Sequence, residues 1–168
     1  GMIHSNMAKE YMMVNKLDSA RMEIQLSESY LAKVGIKGYV YATCATDIGE
    51  ILTTLKQYKL AERYLVEATY IIDSLKLTDN RLITLSALTN LYAASGQYDK
   101  AKEKALLLLQ MSTTYRAKPF LRSAYKILAE ISEASGQPDV ALVFYKQYQR
   151  WNDSIYNESK EKAITNAE

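Results

Sequence analysis

The side chains able to do covalent or metal chemistry are few and scattered. His4 is the single histidine and Cys44 the single cysteine. Hydrolytic or transfer chemistry on either needs a nucleophile, a base and an orienting acid drawn together, and neither stands in such a set. His4, near the start of the chain, reads as a surface residue. Cys44 sits among Ala42, Thr43 and Ala45. It reads as a small thiol packed between helices, with no neighbouring cation in the sequence to favour a thiolate. Asp47 and Glu50 fall on adjacent turns of one helix, a spacing that suits a metal or an acid/base pair. No third ligand accompanies them. Gly35-Ile36-Lys37-Gly38 has the spacing of a nucleic-acid clamping loop, but that loop belongs to folds with strands; here it reads as a connection between helices. No phosphate loop or dinucleotide fingerprint occurs. The expectation is no catalytic residue, no cofactor and no metal. The 14 tyrosines fall mostly on helical stripes, which suits core residues with a polar tip better than a base-stacking platform.

The composition points the same way. The chain has 168 residues, 48% hydrophobic and 24% charged, with only six glycines and two prolines. So few breakers favour long helices and short connections. A net charge of +2, with both signs interleaved, argues against nucleic-acid binding. No apolar run approaches the roughly 20 residues of a membrane span, and no secretory leader is evident. Gly1 before Met2 resembles a tag-cleavage scar, so the lack of a leader carries little weight.

The elements that position these residues repeat. Gly96-Gln97-Tyr98-Asp99-Lys100-Ala101 and Gly136-Gln137-Pro138-Asp139-Val140-Ala141 share a Gly-Gln-x-Asp-x-Ala pattern forty residues apart. Lys56 to Ala61 and Asn15 to Ala20 occupy the same register upstream. Small residues Ala8, Gly49, Thr89 and Ala129 precede each turn by seven positions. Met7, Ile48, Leu88 and Leu128 precede it by eight. Ala45, Ile48, Gly49 and Leu52 follow i, i+3, i+4, i+7, one face of a helix. Leu85, Leu88, Thr89 and Tyr92 do the same, and Tyr98, Ala101, Ala105 and Leu108 form a stripe after the turn. Glycine or asparagine at the turn accepts a left-handed backbone; Lys56 is the weak member. Pro119 and Pro138 suit first helical turns. This predicts eight helices, near 4–14, 17–33, 38–55, 58–75, 79–95, 98–114, 119–135 and 138 to near the end. The expected fold is all-α, a right-handed α-solenoid of about four antiparallel helix pairs with a forty-residue period. Residues 1–156 form the repeat domain, and 157–168 a polar helical extension, linker or coiled-coil start.

This pattern resembles the tetratricopeptide repeat. Leu88-Thr89, Tyr92, Gly96, Tyr98 and Ala101 carry the match best, followed by Ile48-Gly49, Leu52, Tyr58 and Ala61. Leu128-Ala129, Gly136 and Ala141 match in part, and the unit with Ala8, Tyr11, Leu17 and Ala20 is weakest. The family period is about 34 residues. The excess falls between Gly96 and Pro119, in the second helix and the loop after it.

The resemblance implies a protein-interaction module whose first helices line a concave groove. The implied groove residues are Thr46, Asp47, Glu50 and Thr54 (with Thr43), Ile83 and Asn90 (with Ser86, Ala87 and Ala93), and Lys126, Glu130 and Glu133 (with Ser123 and Ile127). The family's clamp for peptide carboxylates needs several cations there, and the acidic residues oppose it. A mixed or basic peptide, or an extended segment of the protein itself, is the expected ligand. The end of the chain, Tyr145-Lys146-Gln147-Tyr148 through Asn152-Asp153-Ser154-Ile155-Tyr156-Asn157-Glu158, resembles the close of the repeat domain in bacterial sensor proteins. That implies an alternative role as a regulatory domain of a sensor kinase or helix-turn-helix regulator, with a possible dimer through the C-terminal helix. The adaptor reading implies a cytoplasmic location, and the sensor reading a periplasmic one.

Overall fold

Helical periodicity and short connections are realised in a computed structural model that describes residues 2–33 and 37–166. Eight helices run in order: α1 (Met2–Met13), α2 (Leu17–Lys33), α3 (Tyr39–Thr54), α4 (Tyr58–Ser74), α5 (Thr78–Ala94), α6 (Tyr98–Thr114), α7 (Lys118–Ala134) and α8 (Pro138–Thr165). No strand occurs among the described residues. The fold is all-α, as the periodicity predicts. The Gly35-Ile36 part of the glycine-flanked loop lies outside the described residues.

Except between α2 and α3, each connection has three residues, and one of them takes positive φ: Asn15 (57°), Lys56 (60°), Lys76 (54°), Gly96 (74°), Arg116 (53°) or Gly136 (71°). The turn closes on two backbone hydrogen bonds. Gln57 N–H donates to the Leu52 carbonyl (2.9 Å) and Lys56 N–H to that of Thr53 (3.0 Å). The same pair of bonds recurs after α1, α4, α6 and α7. This Schellman arrangement satisfies carbonyls that a helix end otherwise leaves open. The next helix starts immediately, with Ala61 N–H donating to the Gln57 carbonyl (3.0 Å). α4 and α6 each run for 17 residues, so the forty-residue spacing is made up by helix length rather than by long loops.

The helices fall into two compact units, Gly1–Ser95 and Gly96–Glu168. In the first, α1 packs on α2, α3 on α4 and α4 on α5, while the first helices of successive pairs also meet, α1 with α3 and α3 with α5. That layering is the one an α-solenoid uses. The helix stripes form its core: Ala45 and Ile48 are fully buried, as are Ala61, Leu65 and Ala68. At Gly49 α3 comes close to α4. A Cβ there would lie 2.4 Å from Leu65 Cγ. Cys44 is buried and free, as the sequence suggests; burial pushes its thiol pKa up. In the second unit α7 packs on both α6 and α8. Ala101, Ala105 and Leu108 are fully buried on α6, but Tyr98 at the head of that stripe is 41% exposed. Ser112 stands at the register position of Ile72, and its buried hydroxyl finds no hydrogen-bond partner. α8 continues unbroken through residue 156 to Thr165.

Candidate functional site

The groove residues implied by the repeat register divide between the two units. In the first, one position per repeat forms a row across the three packed first helices: Lys9 on α1, Glu50 on α3 and Asn90 on α5. Lys9 Nζ lies 2.9 Å from Glu50 Oε2 and also donates to Asp47 Oδ1. Ser5 Oγ donates to Asp47 Oδ2 (3.0 Å). Burial works against the Lys9 charge, but Asp47 and Glu50 outweigh it and raise the lysine pKa above 10.5. Asp47 is thus a bridge between α1 and α3, with a side chain only 13% exposed. Glu50, at 37%, still reaches solvent. Thr54 is exposed and bonds back to the Glu50 carbonyl (3.2 Å). Ile83 is 41% exposed, and Asn90 is exposed.

Thr46 corrects the sequence reading. It is 4% exposed, and its hydroxyl shares a 3.1 Å hydrogen bond with Thr84 on α5 while donating to the Ala42 carbonyl (2.9 Å). It joins neighbouring first helices and cannot touch a ligand. Ala87 and Ile127, at 1% and 3% exposure, are core for the same reason: the face available to a ligand is narrower than the register suggests. Lys9 was missed because the first repeat carries the weakest motif. Its spacing of forty-one residues from Glu50 is the signal that could have found it.

In the second unit Lys126 Nζ lies 3.6 Å from Glu130 Oε1, one helical turn away. Glu133 accepts a 2.9 Å hydrogen bond from Tyr145 on α8. These three are exposed on α7.

A second concavity was not anticipated from sequence. While α1, α3 and α5 touch in series, α2 and α4 stand apart, leaving an open cleft of about 1120 Å³. Tyrosine–carboxylate hydrogen bonds frame it. Tyr64 donates to Glu28 across the cleft (2.8 Å), and Tyr41 donates to Glu67 (2.6 Å), which also pairs with Lys37. From α5, Tyr92 donates to Glu62 (3.0 Å), another residue that lines the cleft. Burial and the Glu28 carboxylate push the Tyr64 pKa up to about 12; burial and Glu67 raise that of Tyr41 further. Burial opposes ionisation of Glu67, but hydrogen bonds from Lys37 and Tyr41 prevail and lower its pKa. Arg63 lies 5.1 Å from the Tyr64 ring centroid, within cation–π range. Cations and carboxylates are balanced around the cleft, so it favours no single sign of ligand.

Among the described residues no three His, Cys, Asp or Glu side chains approach closely enough to hold a metal ion. His4 shares a 2.7 Å hydrogen bond with Glu23 on α2. No described helix is long and apolar enough to cross a membrane. No protein-family model matches the chain, and no curated protein matches it in sequence.

Proposed function

We propose that this chain is a non-catalytic protein-interaction module that receives an extended peptide across the first helices α1, α3 and α5. The observation that carries this reading is the row of equivalent positions Lys9, Glu50 and Asn90, one per repeat on three helices packed side by side. Thr54 and Ile83 extend the same surface by one or two turns. Such a row offers donors and acceptors at regular intervals to a peptide backbone running across the helices. Lys9 is already held by two carboxylates, so this face favours neutral or basic segments over a peptide carboxylate. Lys126, Glu130 and Glu133 are the corresponding candidates on α7. The test selects peptides from a displayed library and maps their binding by amide chemical-shift changes. Shifts should centre on Glu50 and Asn90, and Glu50→Ala with Glu130→Ala should alter affinity while leaving the melting temperature nearly unchanged. Shifts centred on the α2/α4 cleft would move the binding site, and unfolding of the double variant would mean these residues are structural.

A second reading, a regulatory domain of a longer signalling protein, draws support from α8. It has 28 residues against 17 in α7. Lys118, at the start of α7, pairs with Glu158, so the helix runs past its partner for two further turns of exposed residues. A helix that outruns its core suits a rigid link to a further element.

A further inference from the structure

In the first unit, α5 packs on both helices of the pair before it, α3 and α4. α3 does not do the same. It packs on α1 but meets α2 at few residues, and the α2 and α4 backbones stay apart. The open cleft of about 1120 Å³ is the space this leaves. The α1/α2 pair is therefore joined to the α3/α4 pair mainly along one seam, between α1 and α3. That seam carries the bonds of Ser5 and Lys9 to Asp47 and of Lys9 to Glu50. On the cleft side, the Tyr64–Glu28 hydrogen bond reaches across as a tie between long side chains. Two stiff helix pairs that share one packed seam and face each other over an open gap have the geometry of a hinge.

The two walls carry groups that the open cleft leaves unused. Glu28 on α2 accepts the Tyr64 hydroxyl on Oε1, and its second oxygen is available. Arg63 on α4 lies 5.1 Å from the ring centroid of the same tyrosine and is exposed. Among the described residues neither Arg63 nor Glu28 takes part in an ion pair. The other carboxylates of the cleft are engaged, Glu67 by Lys37 and Tyr41 and Glu62 by Tyr92. Val66 and Tyr70 follow Arg63 by three and seven residues, so they share its face of α4. Both line the cleft, and they are 50% and 77% exposed. An approach of α2 would remove part of that apolar surface from water.

We propose that the α1/α2 pair is hinged on the α1/α3 seam and swings α2 against α4, closing the cleft, with Arg63 and Glu28 forming the ion pair that holds it shut. The Tyr64 side chain connects the two charges, since its hydroxyl sits on Glu28 and its ring beside Arg63. Closure brings the guanidinium to the carboxylate oxygen that the tyrosine leaves open, a pairing whose planar geometry favours two parallel hydrogen bonds. An ion pair at an exposed rim adds little stability, and the apolar gain is confined to a few side chains. Open and closed forms are therefore both populated, and small forces shift their balance. The pivot is the seam that carries Lys9, Asp47 and Glu50, so each swing also changes the spacing of the Lys9–Glu50–Asn90 row on the opposite side. The hinge stands on packing within the described helices and holds whether or not that row binds a peptide.

Distances between spin labels on α2 and α4 test the proposal. The labels are placed by Ser29→Cys and Ser74→Cys, both at exposed positions outside the cleft lining, in a full chain carrying Cys44→Ala. Should Cys44→Ala unfold the chain, Cys44→Ser carries the same labels. Double electron–electron resonance of the labelled parent should give two distances. The shorter one should be lost in Arg63→Gln and, separately, in Glu28→Gln, while circular dichroism retains the parent helicity. Raising the salt concentration should also shrink the shorter population, because the pair is exposed to screening. A single distance in the labelled parent overturns the proposal. A shorter distance that survives either substitution overturns it as well, because closure would then not depend on this pair.

Discussion

Gly49→Ala sets two known effects against each other at one atom. In a helix interior alanine is favoured over glycine by about 0.8–1.0 kcal/mol. At this site the added Cβ would lie 2.4 Å from Leu65 Cγ and 2.6 Å from its Cδ2. Leu65 is fully buried, so its side chain can yield only by displacing its packed neighbours. Overpacking of this kind costs about 1–3 kcal/mol. The clash should win, giving a net loss of roughly 1 kcal/mol, or a fall in melting temperature of about 2–4 °C for a chain this size. Leu65→Ala alone should cost about 2–5 kcal/mol by leaving a cavity. In that background the clash is gone, so Gly49→Ala should now stabilise by about 1 kcal/mol. Urea unfolding of the four proteins, followed by helix circular dichroism, measures the coupling directly. Equal effects of Gly49→Ala in both backgrounds would refute the claim that α3 and α4 touch at this pair.

Two further outcomes follow from the turns and from the tyrosines. Lys56 holds a left-handed conformation that favours glycine, so Lys56→Gly should raise the urea midpoint by the equivalent of about 0.5–1 kcal/mol; an unchanged or lower midpoint would show that the lysine contributes more than its backbone strain removes. Tyr64 ionises near 12 in the folded chain against about 10 when unfolded, so the unfolded state loses its proton first. Its contribution is complete below pH 10 and is lost as pH rises through about 12. The stability difference between the parent and Tyr64→Phe should therefore shrink across that window, and a constant difference would contradict the assignment.

Much of the helix pattern was legible because apolar periodicity and turn chemistry agree. Gly96, Gly136 and Asn15 announce left-handed turns by residue type, and every helix boundary lies within two residues of the expected one. Lys76 and Arg116 adopt the same backbone without any such announcement. Their forty-residue spacing was the available signal, but neither residue type prefers that conformation. The turn hydrogen bonds and core packing of the neighbouring helices impose it. The candidate site was less legible. Residue type alone cannot distinguish Thr46, which faces α5, from Thr54, which faces water, because both are small β-branched polar residues on one helix. Only the direction of the neighbouring first helix separates them. The cleft between α2 and α4 left no motif, since it arises where two helix backbones stand apart and only long side chains reach across.

The shared turn has a consequence for how such a chain can grow. A junction of fixed length and fixed backbone bonds works as a standard coupling: whatever helix enters, the next one leaves in the same register. The one interval of forty-one residues, Asn15 to Lys56, is the one that holds both α2 and α3. A segment of forty residues cut between two such turns begins and ends in matching halves of the same joint. Duplication or loss of that segment leaves each flanking helix with a turn it already fits. Changes of a few residues have no such route, because they rotate every apolar stripe that follows.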